Sequence, residues 1–388
     1  MADIDDDILD AYGEVSESEL AIGDRDFQEM VVAPTDWTIS VLTDLLDRQI
    51  IDLAPNYQRR VAWTEDKMSK FIESLFLRLP VPQIVLAETR PGRFAVIDGK
   101  QRLNSIARFC ADKRRPLRLK NCEYREDLEG LTYDEMLKRD DLADAVGAFQ
   151  SHTVRTIVIK NWRSSELVYL LFLRLNQNSV PLSSQELRRA LYPGEFMTWL
   201  DEQTTNSPGM RLIFAQVPDF RMRDMEVALR HLAFDMYGAS YRGNLKKFLD
   251  GVTNDLTSHF RPRRAQLEDA WLRYERAIET TFDIFGENAY RIWQNERFQP
   301  ARNRAVMDIM NYYFADPSTA EAALPHAQAL QGGFKDLCEG NAEFVRALQS
   351  STKTEAATAL RFEAWGHSLN NVIGAAVRPY PSDEYQIG

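Results

Sequence analysis

The stretch Phe94-Ala95-Val96-Ile97-Asp98-Gly99-Lys100-Gln101-Arg102-Leu103, continued by Ile106, Ala107 and Phe109, decides how this chain folds. Four apolar residues in a row form a short buried strand. Gly99 permits a turn closed to other residues. Leu103, Ile106 and Ala107 then recur at the three- and four-residue spacing of a helix. Just upstream, Gln83 to Glu88 reads as another strand, with Pro91-Gly92 as the turn between the two. The order strand, turn, strand, glycine turn, helix sets backbone N–H groups at a helix N-terminus, a ready place for an anion.

Further upstream, Ser40 caps a helix carrying Val41, Leu42, Leu45 and Leu46. Residues 55–60 are extended or turning and lead to Trp63. Thr64 caps the next helix, with Glu65 and Asp66 in its first turn and Met68, Phe71, Ile72, Leu75 and Phe76 on its apolar face. Pro80 and Pro82 end it. Residues 111–150 are polar and hard to assign, and 153–160 returns as a β-branched strand. Ser164 or Ser165 starts a helix through Leu175, the stretch 176–181 breaks it, and another begins near Ser183-Ser184. Beyond about residue 195 strand signals vanish, and segments 222–236, 243–257, 266–284, 302–314, 318–349 and 354–373 show helical periodicity. The fold class is α+β, with an all-helical C-terminal region. The expected divisions are an acidic flexible leader over 1–35, an α+β domain over 36–195 and a helical domain over 196–388.

Bulk properties narrow the classes. With 388 residues the chain is long enough for two or three packed units, and 44% hydrophobic with 27% charged residues is ordinary for a globular protein. No apolar run reaches the roughly 20 residues of a membrane span, and the N-terminus is acidic, so a cytoplasmic location is expected. Cys110, Cys122 and Cys338 form no CxxC pair and are expected as small core residues. The formal charge is −11, yet residues 1–30 hold eleven acids against the single base Arg25. Removing that segment's −10 leaves −1, so polyanionic partners stay open to the rest of the chain.

The segment Asp98 to Arg102 concentrates phosphate-binding chemistry. Gly99 lets a ligand come close to the backbone, Lys100 and Arg102 bring charge, and the arginine fork suits phosphate oxygens. Gln101 offers an amide donor, and Asp98 either holds a magnesium ion or caps the turn. A plain surface turn before a helix is the competing reading.

The order Tyr57-Gln58-Arg59, Trp63, Pro80-Val81-Pro82-Gln83-Ile84 and Val96 to Leu103 closely resembles one family. It is the ParB/sulfiredoxin-like domain in the N-terminal half of GmrSD-type, modification-dependent restriction enzymes. The family's usual central motif is Asp-Gly-Gln-Gln-Arg, so Lys100 is a departure that adds charge. Phe172-Leu173-Arg174-Leu175-Asn176, then Leu182-Ser183 and Gln185-Glu186-Leu187-Arg188, is similar to its second motif. The resemblance implies a ParB/sulfiredoxin-like fold for the N-terminal domain and a nucleoside triphosphate pocket, in some members with hydrolysis that gates a nuclease. It implies Gln58, Arg59, Gly99, Lys100, Gln101, Arg102, Arg174 and Asn176 as nucleotide-binding residues, Asp98 and Arg102 as catalytic, and Asp98 as ligand to Mg2+. Bland alternatives stand beside these. Arg174 and Glu186 would form a buried ion pair, Asn176 a helix C-cap, and Tyr57 and Trp63 core aromatics.

Other motifs fail. Gly92 and Gly99-Lys100 lack the spacing of a P-loop. The five histidines, His152, His231, His259, His326 and His367, are scattered without zinc-ligand spacing. His367 and Asn370-Asn371 have no preceding histidine motif of the HNH type, so the chain reads as the family's sensor half without its nuclease domain. Arg221, Arg223 and Arg230, then Arg242, Lys246 and Lys247, then Arg261, Arg263 and Arg264 make a DNA-facing surface conceivable, although interleaved acids favour a solvated face.

Three functions follow as expectations. The first is a nucleoside triphosphate-binding and hydrolysing regulatory component of a prokaryotic anti-phage defence or restriction system, working with a separately encoded nuclease or toxin. The second is a non-catalytic DNA-binding adaptor that recruits such a partner. The third is a cryptic nuclease within the ParB-like fold.

Overall fold

A strand–glycine–helix unit lies at the centre of the N-terminal part of the computed structural model, which describes residues 27–53, 63–175, 183–349 and 354–380. The described residues divide into two compact units, one ending at Leu191 and one running from Tyr192 onward.

In the first unit, β1 (Val31–Thr38) leads into α1 (Ile39–Asp47), then the short β2 (Ile51–Asp52), α2 (Glu65–Phe76), the hairpin β3 (Ile84–Arg90) and β4 (Arg93–Asp98), and α3 (Lys100–Cys110). After α4 (Tyr133–Met136) and α5 (Ala143–Gln150) come β5 (Thr153–Lys160), α6 (Ser165–Leu175) and α7 (Ser184–Leu191). The five strands form one sheet in the order β1-β5-β3-β4-β2. β3 is central, antiparallel to β4 with Leu86 opposite Val96, and parallel to β5 with Ile84 beside Thr156. Strand β1 begins inside the stretch read as leader and pairs along its whole length with β5, Val31 opposite Lys160. Pro34 suggested an end there, but β1 is an edge strand, where a residue without an N–H is tolerated.

Alternation of side chains along the strands decides what covers each side. Ile84, Leu86 and Val96 join Ile39, Leu42, Met68, Ile72, Leu103, Ile106 and Phe109 in one core, placing α1, α2 and α3 on that side. Phe76 stacks on Phe149 of α5, with ring centroids 4.3 Å apart. The alternate residues Val85, Ala87, Ala95 and Ile97 are also buried, and α6 and α7 both contact β4. The hairpin turn uses Gly92 at φ +71°, as the Pro91-Gly92 signal requires.

The second unit is helical: α8 (Glu195–Asn206), α9 (Pro208–Ile213), α10 (Arg223–Tyr237), α11 (Leu245–Ser258), α12 (Phe260–Phe285), α13 (Arg304–Phe314), α14 (Pro317–Ala323), α15 (Ala327–Gly340), α16 (Ala342–Gln349) and α17 (Glu355–Ile373). One continuous core runs from Phe196 to Leu369. The expected helical segments all fall on these helices, but 318–349 is three helices, α12 begins at Phe260 and not near 266, and α8 and α9 had no expected counterpart. A two-stranded hairpin, β6 (Arg291–Gln294) and β7 (Arg297–Arg302), also interrupts the helices. Its strands are short and polar, which is why no strand pattern was legible there. Among the described residues no helix is long and apolar enough to cross a membrane.

Candidate functional site

Helix α3 begins abruptly. Strand β4 ends at Asp98, Gly99 turns the chain at φ +94° and ψ 14°, and Lys100 is already helical. A Cβ on Gly99 would stand 3.1 Å from Ile84 Cγ1 and 3.4 Å from Arg102 Nη2, so both backbone angle and space demand glycine. Among the described residues no side chain caps this helix. Its first amides therefore keep the donor capacity that a cap would otherwise consume.

The three residues after Gly99 reach into three different parts of the chain. Lys100 Nζ lies 3.1 Å from Glu186 Oε1 on α7, with the two side chains only 16% and 8% exposed. Gln101 Oε1 accepts from the backbone N–H of Trp63 at 3.4 Å, where the segment before α2 ends. Arg102 Nη1 donates to the carbonyls of Pro82 and Gln83 at 2.6 and 3.1 Å, and its Nη2 donates to Asp98 Oδ2 at 2.7 Å. The prolines at 80 and 82 break the helix before β3 and leave carbonyls without ladder partners, which the arginine fork satisfies. Arg102 is thus buried and committed to holding the loop and Asp98, instead of presenting its fork to solvent.

Glu186 is doubly engaged. Its Oε2 accepts the backbone N–H of Ser183 at 2.8 Å, and Ser183 Oγ accepts the N–H of Glu186 at 3.1 Å. That reciprocal pair is a capping box, and it explains why α7 starts where it does. The same carboxylate holds Lys100. Lys100 and Arg102, neighbours on the first turn of α3, therefore each face a carboxylate.

Of the residues singled out by sequence, the structure brings Asp98, Gly99, Lys100, Gln101 and Arg102 together at this strand–helix junction. Arg174 lies in the last turn of α6, where it is exposed. Gln58, Arg59, Asn176 and Tyr57 lie outside the described residues. Trp63 packs edge-on against Phe71, ring centroids 5.9 Å apart, in keeping with a core aromatic. The role of Glu186 as the partner of Lys100 was not legible. The Ser-x-x-Glu spacing of Ser183 and Glu186 signals a cap, and nothing in it signals a second duty 86 residues away.

A magnesium ion in such a site usually takes one or two carboxylates and completes its shell with phosphate oxygens and water. Asp98 fits that limited role, with its side chain 27% exposed and only Oδ2 engaged by Arg102. Among the described residues no cluster of three or more His, Cys, Asp or Glu could hold a metal by itself. The three cysteines are free; burial pushes the Cys110 thiol up to about 12, far from a reactive thiolate.

Residues 42–193 match the family model of the GmrSD restriction endonuclease, N-terminal domain. This segment is a domain of that family. No curated protein matches the chain. The GmrSD N-terminal domain so delimited runs from α1 through α7, and it contains every contact just described around Lys100, Gln101 and Arg102.

The basic groups of the helical unit are placed differently from a DNA-facing row. Arg223 is buried against Asp219 at 2.8 Å, and Arg230 is buried against Asp308. Lys246 is held by Asp250 at 2.7 Å, Arg261 by Glu195 at 2.8 Å, Arg263 by Asp255 at 3.1 Å and Arg264 by Glu268 at 2.8 Å. Arg223, Arg230 and Lys246 belong to the interior, which neither a DNA surface nor a solvated face describes. Helix packing sets which side of α10 is inside, and that side carries its charges with it.

Proposed function

We propose that the chain is a nucleoside triphosphate-binding regulatory component of a restriction or anti-phage defence system, with the phosphates received at the start of α3. Membership of residues 42–193 in the GmrSD N-terminal family supports the setting. The observation that carries the nucleotide reading is the junction itself: an uncapped helix start behind a left-handed glycine, with Lys100 and Gln101 on its first turn. Such a terminus favours an anion through its amides and its dipole. Because Lys100, Gln101 and Arg102 are tied to α7, the start of α2 and the 80–83 loop, a ligand there would act on all three at once.

In this reading Lys100 and Gln101 contact phosphate, Asp98 carries Mg2+, and Arg102 positions Asp98 and the loop. Gln58, Arg59, Arg174 and Asn176 are assigned to the same ligand by resemblance alone. Hydrolysis needs little beyond placed cations and an oriented water. A ParB/sulfiredoxin-like topology and a separate nuclease or toxin partner belong to the same proposal. The DNA-adaptor reading draws less support, since most of the basic groups behind it are engaged with acids, and a nuclease reading has no described metal cluster behind it.

The test is equilibrium binding and phosphate release with ATP, GTP, CTP and UTP in the presence of magnesium, for wild type and Lys100→Gln. Saturable binding of at least one nucleotide, weakened tenfold or more by Lys100→Gln, is the expected result. Absence of binding to all four by wild type would overturn the reading. Salt-sensitive DNA affinity without phosphate release would then favour the adaptor.

A further inference from the structure

We infer that Glu186 is a built-in anion that occupies the phosphate position at Lys100, and that ligand entry displaces it and loosens the start of α7. The identity of the ligand rests on the nucleotide reading; the displacement rests on geometry. Lys100 is the first residue of an uncapped helix, and its ammonium is covered by the carboxylate of Glu186 at 3.1 Å. Both side chains are largely buried, at 16% and 8% exposure, so the pair is poorly screened by water. A triphosphate approaching α3 meets an ammonium that is already neutralised. Retaining Glu186 in place would set a buried carboxylate beside phosphate oxygens, a like-charge contact in a low-dielectric setting. One of the two anions must leave.

The consequence reaches α7 because Glu186 also closes the cap of that helix. Its Oε2 holds the Ser183 N–H at 2.8 Å, closing the capping box whose other half is Ser183 Oγ on the Glu186 N–H. A carboxylate that swings away from Lys100 pulls on that cap. Phosphate at α3 and order at the N-terminus of α7 are therefore coupled through one side chain, and α7 contacts β4 directly. By linkage, the cost of moving Glu186 lowers ligand affinity, and whatever stabilises the moved state raises it.

Glu186→Gln separates the charge at Lys100 from the cap. Glutamine preserves the capping-box acceptor but removes the charge that competes for Lys100. The expected result is a tenfold or greater gain in affinity for the nucleotide that wild type binds, and for inorganic tripolyphosphate. That gain should be absent when Glu186→Gln is combined with Lys100→Gln. Ligand binding to wild type should also speed hydrogen exchange at the Ser183 amide, and should not do so in Glu186→Gln.

The outcomes divide cleanly. If nucleotides bind wild type while Glu186→Gln binds them no tighter, the displacement is wrong and the nucleotide reading stands. If no nucleotide binds but tripolyphosphate binds Glu186→Gln in a Lys100-dependent way, the displacement stands and the nucleotide reading is wrong. A gain that persists without Lys100 overturns the displacement, and absence of all phosphate binding overturns both.

Discussion

At the scale of single residues, Arg102 shows how a side chain chosen for ligand chemistry serves structure first. Its fork satisfies two carbonyls left over by a proline-broken loop and the carboxylate that ends β4. Arg102→Ala would strand the Pro82 and Gln83 carbonyls and leave Asp98 without its partner. The cost is on the order of 2–4 kcal/mol, because buried acceptors lose their donors as well as one ion pair. We expect a clear fall in the urea midpoint of Arg102→Ala, checked by circular dichroism. A variant as stable as wild type would show that the fork is dispensable to the fold and would return Arg102 to the ligand. Loss of nucleotide binding in Arg102→Ala, taken alone, cannot separate these roles. Lys100→Gln is the cleaner probe, since Lys100 touches one carboxylate and no backbone.

At the scale of elements, helix starts carry much of the design. Ser183 opens α7 with a reciprocal cap, and Ser183→Ala should cost about 1 kcal/mol. The measurement is hydrogen exchange over residues 184–191, expected to quicken locally while α3 keeps its protection; unchanged exchange in α7 would mean that packing on β4 alone holds it. Most of these starts were also legible in the sequence, although α1 is capped by Thr38 and not by Ser40. Thr64 caps α2 as read, and the Asp98-Gly99 turn opens α3 as read, because capping and left-handed glycine are local chemistry. The ends of the sheet were less legible. The first five residues of β1 fall in the expected leader over 1–35, since Pro34 and flanking acids hide a strand whose partner β5 lies more than a hundred residues away. α4 and α5 could not be assigned from polar residues 111–150, where the buried anchors Leu117, Leu119, Leu128, Met136, Leu142, Val146 and Phe149 are spread too thinly to show a period. In the site, composition pointed to the Asp98–Arg102 segment, but pairings such as Lys100 with Glu186 and Gln101 with Trp63 depend on tertiary packing that no local pattern encodes.

At the scale of the whole molecule, the net charge of −11 misleads, because its excess sits in the first thirty residues while the helical unit uses charge internally. Asp308 is buried between Arg230 and Arg361, and Asp235 takes Arg273 at 2.9 Å and Arg378 at 2.7 Å. Beside them His231 is fully buried on α10, its ring stacked on Tyr274 at 4.3 Å with an 11° tilt between planes. Burial holds this imidazole neutral and pulls its pKa down to about 4; Arg378 and Arg273 push the same way, while Asp235 and Asp308 oppose. An unfolded histidine takes its proton near pH 6.5. As pH falls below that value the unfolded chain gains a proton that the folded chain refuses, so stability drops until about pH 4, where the folded state also protonates. Between pH 7 and 5 this amounts to about 2 kcal/mol. Burial alone would raise Asp235, but His231 and its arginines hold it down to about 2, so its contribution is lost as pH falls from the ordinary carboxylate value of 3.8 towards 2, below the range in which the histidine acts. His231→Gln removes the titration but keeps a polar side chain in the position. Urea unfolding of wild type should weaken by about 2 kcal/mol more than that of His231→Gln over this range. Equal pH slopes in the two proteins would mean that the folded chain takes up the proton as readily as the unfolded one, and a wild type that gains stability relative to His231→Gln as pH falls would mean that the imidazole already carries its proton inside the fold, with Asp235 as its counter-charge.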